Sequence, residues 1–368
     1  MRVATLVIPV LLAASFYAGF VSPLEPPASG PADGRQDFAF YQRRPWFDEP
    51  GAAGSLLQSR KGEFPLEGMV GLVTGSSSGI GRAVAQYLHS KGCTVLVVSR
   101  SEKRSKQACA YIEERTQGSP GRCDPYALDL SSLQAVRDFT SKMLHKYDRL
   151  DFLNANAGMT FLVSHDGAWL STDGYEMLYA SNYLGHFLLA QLLLPLLKKS
   201  NGRIAATSSI AHWYHDTDLE TLLPSAMQNR SDKDLGSFAK MRQYGNTKLL
   251  QVFMCFEMQR REPQPYSERD GVDGWFPVFA QPSEEGAKTE LQALLADEGL
   301  ETGVFLQPYY APPYRSPPAS GMFMMVYEFL GQLLTWGCHR WIAHPDAYDK
   351  AFAKKVWDES MAAVGLSK

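Results

Sequence analysis

From about residue 66 onward, apolar positions alternate between two rhythms. Met69 to Thr74 is a short apolar run ending at a glycine-rich turn, after which Ile80, Ala83, Val84, Tyr87 and Leu88 recur at helical spacing. Thr94 to Ser99 is a β-branched run. Together these read as strand, tight turn, helix and strand, a βαβ unit of about 30 residues. Further strand-like runs end at Asp129-Leu130 and cover Leu150 to Ala155, Arg203 to Thr207 and Phe276 to Ala280. The alternation predicts one doubly wound α/β domain, with a mostly parallel seven-stranded sheet and helices on both faces.

The first residues follow a different pattern. Val3 to Val21 carries no charge and is close to the roughly 20 residues a helix needs to cross a bilayer. A cleaved signal peptide and an uncleaved anchor both fit. The run is long for a signal peptide's apolar core, and Phe16, Tyr17 and Phe20 stand where a cleavage site wants small residues, which favours the anchor. Arg2 before the run, with Glu25, Asp33 and Arg35 after it, weakly favours a lumenal enzyme. Asn229-Arg230-Ser231 is a glycosylation sequon usable only on that side. Residues 23–65, rich in Pro, Gly and Ala, read as a tether. The expected organisation is therefore an anchor or signal over 1–22, a tether over 23–65 and a catalytic domain over 66–368.

The 368 residues, 45% hydrophobic, suffice for one large core, and a net charge of −3 gives no basic footprint for nucleic acid. Five scattered cysteines form neither a CxxC pair nor a metal-ligand cluster, so the expectation is buried, reduced thiols and no metal.

Chemistry concentrates at a few places. The loop Gly75-Ser76-Ser77-Ser78-Gly79-Ile80-Gly81 lies between strand and helix, where glycines let backbone N–H groups approach a pyrophosphate. At the end of the second strand, where an NAD enzyme places an acid, this chain has Ser99 then Arg100. Without a carboxylate to repel it, a ribose 2′-phosphate can pair with the guanidinium, so NADP(H) is the expected cofactor. Tyr244 and Lys248, at i and i+4, share one helix face, and an ammonium beside a phenol favours the phenolate.

The glycine spacing, Asn156-Ala157-Gly158, Asn182, Ser208-Ser209 and Tyr244-x-x-x-Lys248 occur in that order. Together they resemble the short-chain dehydrogenase/reductase family, a Rossmann-type fold, from about Gly68 to the C-terminus. Ser181 to Leu188 is similar to the retinol-dehydrogenase branch, as is Lys355 to Ser360. The resemblance implies cofactor contacts from Gly75, Ser77, Ser78, Gly79, Ile80, Gly81, Arg100, Asp129, Asn156, Ala157, Gly158, Tyr244, Lys248 and Thr289. It implies a catalytic set of Asn182, Ser209, Tyr244 and Lys248. Ser209 would polarise a carbonyl, Tyr244 would act as general acid or base with its pKa lowered by Lys248, and Asn182 would hold a relay water. Where relatives have Asn-Asn-Ala-Gly this chain has Ala155 first, and Ser283 replaces a glycine after Pro282.

The same resemblance implies a lipophilic substrate of retinoid, sterol or polyprenoid type. A substrate lid would be drawn from the Tyr/Pro-rich Tyr309 to Pro318 and the apolar Met322 to Trp336. Attachment to a membrane, that of the endoplasmic reticulum, is expected through the N-terminal run, with the cytosolic face open as well because many relatives face it, and a homodimer is compatible. A catalytically silent NADP(H)-sensing scaffold is the alternative from another class. A sugar-nucleotide epimerase is disfavoured by the glycine spacing.

Overall fold

In the computed structural model, six strands form one parallel sheet: β1 (Val70–Thr74), β2 (Thr94–Ser99), β3 (Cys123–Ala127), β4 (Phe152–Ala155), β5 (Arg203–Ser208) and β6 (Trp275–Phe279). Their order is β3-β2-β1-β4-β5-β6. The chain runs outward from β1 on one side, then returns to build the other side from β4. That leaves a crevice at the carboxyl ends of β1 and β4, where doubly wound sheets bind ligands. The structure describes residues 62–159, 169–230, 237–261, 275–279, 287, 290, 291, 294, 295 and 345–366. The expected membrane segment, nearly all of the tether, Thr289 and the two lid stretches lie outside them, and six of the seven expected strands are found among the described residues.

Five strands coincide with the expected runs to within two residues, because buried parallel strands read as continuous β-branched and apolar stretches. β1 is buried along its whole length. The helices are α1 (Gly79–Ser90), α2 (Glu102–Arg115), α3 (Leu133–Lys146), α4 (Met177–Ser200), α5 (Ser237–Arg261) and α6 (Lys350–Ala363). Ser101, Ser132 and Asp349 cap α2, α3 and α6 by accepting backbone N–H bonds.

By composition α4 is apolar enough to cross a membrane. It is instead a core helix, with Phe187, Leu188, Leu189 and Leu193 fully buried. Near its start it contains a π turn, Ala180–Leu184, in which the Gly185 N–H reaches back to the Ala180 carbonyl. An aromatic ladder, Tyr175, Tyr179, Tyr183 and Phe187, runs along this helix to Trp357 of α6, the last two rings meeting edge-on at 4.9 Å. The C-terminal Trp is thus a core anchor.

One expectation fails here. Cys109 of α2 and Cys123 of β3 form a disulfide, their Cα atoms 5.4 Å apart. The crossover from α2 back to β3 brings together two residues that no short spacing motif connects. Closing a loop of this size stabilises a fold by about 3 kcal/mol in the chain-entropy account. Cys93 and Cys255 are buried free thiols, as expected.

Candidate active site

The glycine loop turns sharply between β1 and α1. Gly75 (φ +69°) and Gly79 (φ +59°) both take the left-handed conformation that glycine adopts without penalty. A Cβ on Gly75 would meet the Ala157 backbone at 2.8 Å, and one on Gly81 would meet the Asn156 amide at 2.4 Å. Both glycines therefore allow the loop to pack on Asn156-Ala157-Gly158. Thr74 and Asn156 stitch the two segments together: Asn156 Nδ2 donates to the Thr74 carbonyl at 2.7 Å, and the Ala157 N–H donates to Thr74 Oγ1 at 3.0 Å.

These segments wall a cleft of about 530 Å³ bordered by Gly75, Gly79, Arg100, Gly158, Tyr244 and Lys248. Ser77, Ser78, Ile80, Gly81, Asn156 and Ala157 also line it. α1 points its N-terminus here with no side-chain cap and no acid in its first turn, leaving its free N–H groups for an anion. Nothing lies within 4 Å of the Gly79 Cβ direction, so the wall is open there. At the end of β2, Ser99 turns its hydroxyl to Ser105 Oγ at 2.9 Å, while Arg100 and Arg104 border the cleft. No carboxylate occupies the strand end. Asp129 instead turns to Ser131, accepting from its N–H at 2.9 Å and its hydroxyl at 2.7 Å, and its neighbours Leu128 and Leu130 form the wall. The set suits a phosphorylated dinucleotide.

At the far end of the cleft, Tyr244 and Lys248 sit one turn apart on α5, the ammonium 5.5 Å from the ring centroid. Ser209 follows β5, and its hydroxyl is hydrogen-bonded to the Tyr244 phenol. Ser208 is spent elsewhere, donating to the Lys248 carbonyl at 2.8 Å. Asn182 lies in the π turn of α4. Its Oδ1 accepts from the Met159 N–H at 2.8 Å, and its Nδ2 donates to the Met159 carbonyl at 3.0 Å.

The expectation that Lys248 holds the Tyr244 pKa down does not describe this state. Burial pushes the phenol up to about 12, with the Ser209 hydrogen bond pulling the other way. Burial also drops Lys248 to about 7, against the field of Glu290. The ammonium is turned inward, donating to the Thr207 carbonyl at 2.7 Å and to Gln251 Oε1 at 3.0 Å. Helical spacing places the two residues together but does not say where a long side chain points.

A short chain dehydrogenase family model matches residues 69–217. Retinol dehydrogenase 14 of Mus musculus is 30% identical over 328 residues, covering 82% of this chain and 88% of that one. The chain belongs to the short-chain dehydrogenase family. Within it, this dehydrogenase is retinol-dehydrogenase-like. Human polyprenol dehydrogenase is 29% identical over 216 residues, covering 56% of this chain and 61% of its own. A crystal structure of an uncharacterized protein from Mycobacterium Paratuberculosis shares the fold, with a TM-score of 0.56 at 22% identity over 82% of this chain and 95% of that one. Proteins of this family are oxidoreductases that use nicotinamide cofactors.

Three residues of this short-chain dehydrogenase were not singled out by sequence. Asn154, one place before the departure at Ala155, donates from Nδ2 to Glu290 at 2.5 Å. Glu290 also accepts from Thr207 Oγ1 at 2.5 Å. Gln251 donates from Nε2 to the Asn182 carbonyl at 2.9 Å. All three are fully buried. A polar residue inside an apolar strand or helix was the only available signal. His186 and His212 brace the site: His186 lies 2.9 Å from Thr74 Oγ1 and 3.0 Å from the Asn182 carbonyl, and His212 lies 2.7 Å from the Ser209 carbonyl.

Proposed function

We propose that this protein is an NADP(H)-dependent oxidoreductase that moves a hydride between the nicotinamide and a lipophilic carbonyl or alcohol. The observation carrying this reading is the hydrogen bond between Ser209 and Tyr244, which lines the cleft with Lys248 one turn on. The bound nicotinamide supplies or receives the hydride. In reduction, negative charge builds on the substrate oxygen, where the Ser209 and Tyr244 hydroxyls can donate. A phenol held near 12 keeps its proton at neutral pH and is therefore ready as a general acid. Lys248 is the nearby positive charge that steadies the phenolate once that proton has left. Asn182 ties the segment at Met159 to α4, fixing one wall.

Arg100 and Arg104 beside a strand end without a carboxylate favour the 2′-phosphate. The lipophilic substrate is supported by the names of the relatives, and the membrane by the uncharged run Val3 to Val21. The proposed organisation is an anchor over 1–22, a tether over 23–65 and a catalytic domain over 66–368.

The test is oxidation of NADPH against NADH by the full chain in detergent, with retinal, ketosteroids and long-chain aldehydes as acceptors. NADPH-selective turnover is expected. Arg100→Ala should raise the KM for NADPH by about 10-fold or more, the worth of one charge-assisted hydrogen bond, and leave that for NADH nearly unchanged. Tight NADPH binding with no turnover across the panel would favour the silent-sensor reading.

Three observations favour placing the catalytic domain on the lumenal side of the endoplasmic reticulum membrane. Arg2 precedes the apolar run, the Cys109–Cys123 bridge needs an oxidising compartment to persist, and Asn229 of the sequon is exposed. Expression in animal cells should then yield a band that shifts on glycosidase treatment and loses the shift in Asn229→Gln. A band that ignores glycosidase would return the domain to the cytosolic face.

A further inference from the structure

Lys248 is 2% exposed and makes no direct ion pair among the described residues. A buried ammonium without a nearby negative charge sheds its proton rather than bear the desolvation. Its one buried countervailing charge is reached through Thr207. That residue's carbonyl accepts from Lys248 Nζ at 2.7 Å, while its hydroxyl donates to Glu290 at 2.5 Å. Glu290 has no exposed surface, and its second oxygen is held by Asn154. A continuous chain therefore joins Asn154 on β4, Glu290, Thr207 on β5 and Lys248 on α5, ending at Gln251, which grips the Asn182 carbonyl.

We propose that Glu290 is a positioning residue acting through Thr207 as the buried counter-charge that keeps Lys248 protonated and seated against the cleft wall. This rests on the oxidoreductase reading only for what the charged lysine does, not for the pairing itself. Among the described residues, three titratable groups act on the ammonium: Glu290, His186 from α4 and Tyr244 on its own helix. His186 is driven down to about 4 by burial and is neutral near pH 7, so it competes little. Burial pushes Glu290 up to about 7, while Thr207, Asn154 and the Lys248 charge pull it back. Each ionised partner thus favours ionisation of the other. Losing the carboxylate lowers the pH at which Lys248 gives up its proton.

Glu290→Gln tests this with little disturbance. The Gln oxygen can still accept from Thr207. Its amide can donate to Asn154 Oδ1, which is buried without a partner, once the Asn154 amide turns over. The readout is a ¹³C NMR titration of the full chain in detergent, labelled at the lysine ε-carbon. The Lys248 signal would be assigned by its absence in Lys248→Arg. In Glu290→Gln the Lys248 midpoint should fall by about one pH unit or more, the effect of removing an opposite charge at short range. Thr207→Val, which breaks only the link, should lower it less. The alkaline limb of kcat/KM should move down with it. An unmoved Lys248 midpoint in a Glu290→Gln protein that melts like the wild type overturns the proposal. A moved midpoint in a protein that reduces no carbonyl upholds the counter-charge and sinks the oxidoreductase reading instead.

Discussion

Tyr244→Phe should lower carbonyl turnover by about 10²–10⁴-fold, the usual worth of a positioned general acid, with NADPH binding retained. The substitution removes one hydroxyl and keeps the ring that walls the cleft, so neither cavity nor charge is introduced. What disappears is the donor that Ser209 holds in place. Because burial lifts the phenol to about 12, the wild-type acid is fully protonated through neutral pH. Loss of the Tyr244 proton should therefore set no limb on reduction there, and alcohol oxidation, which needs the phenolate, should climb as pH rises toward that value. Steady-state rates in both directions, with cofactor titration by fluorescence, check this. A Phe variant within a few-fold of wild type would remove Tyr244 from the chemistry and leave Ser209 or a water as the donor.

Gly185→Ala should cost about 3 kcal/mol or more, at or beyond the upper end of ordinary overpacking. A Cβ at this position would stand 2.0 Å from the Leu130 carbonyl oxygen and 2.9 Å from its carbon. Both are backbone atoms and cannot step aside as a flexible side chain would. The backbone of Gly185 is ordinary helix (φ −64°), so the requirement is for space alone. Leu130 lines the cleft, so displacing it should weaken cofactor binding along with stability. Urea denaturation and NADPH titration would both register the change. A variant as stable as wild type would mean that α4 can slide relative to the loop after β3.

The parts of this site visible in the sequence are those with short-range patterns. The glycine loop and the Tyr244/Lys248 pair each span only a few residues of sequence, and the strands are continuous apolar runs. The buried polar chain is not of this kind. Asn154 and Glu290 are 136 residues apart, and Thr207, which binds the same carboxylate, stands near Asn154 only because β4 and β5 are neighbours in the sheet. The same is true of Cys109 and Cys123, joined by the return of a crossover. The direction of Lys248 escaped for another reason. Four rotatable carbons let its ammonium reach Thr207 and Gln251 as readily as the phenol, and only burial decides between them. Asp129 likewise turned toward Ser131, a local bond available in almost any loop.

The π turn at Ala180–Leu184 makes the length of this helix matter as much as its composition. Such a turn holds one residue more than α-helical winding needs. A second extra residue inserted between Asn182 and His186 would have to be wound into the helix, rotating everything on one side by about 100° relative to the other. Asn182 and His186 would no longer face Met159 and Thr74 together, and the aromatic ladder would lose its register with Trp357. A point substitution at any one of those positions removes a contact. The gain of one residue would misalign the whole helix face.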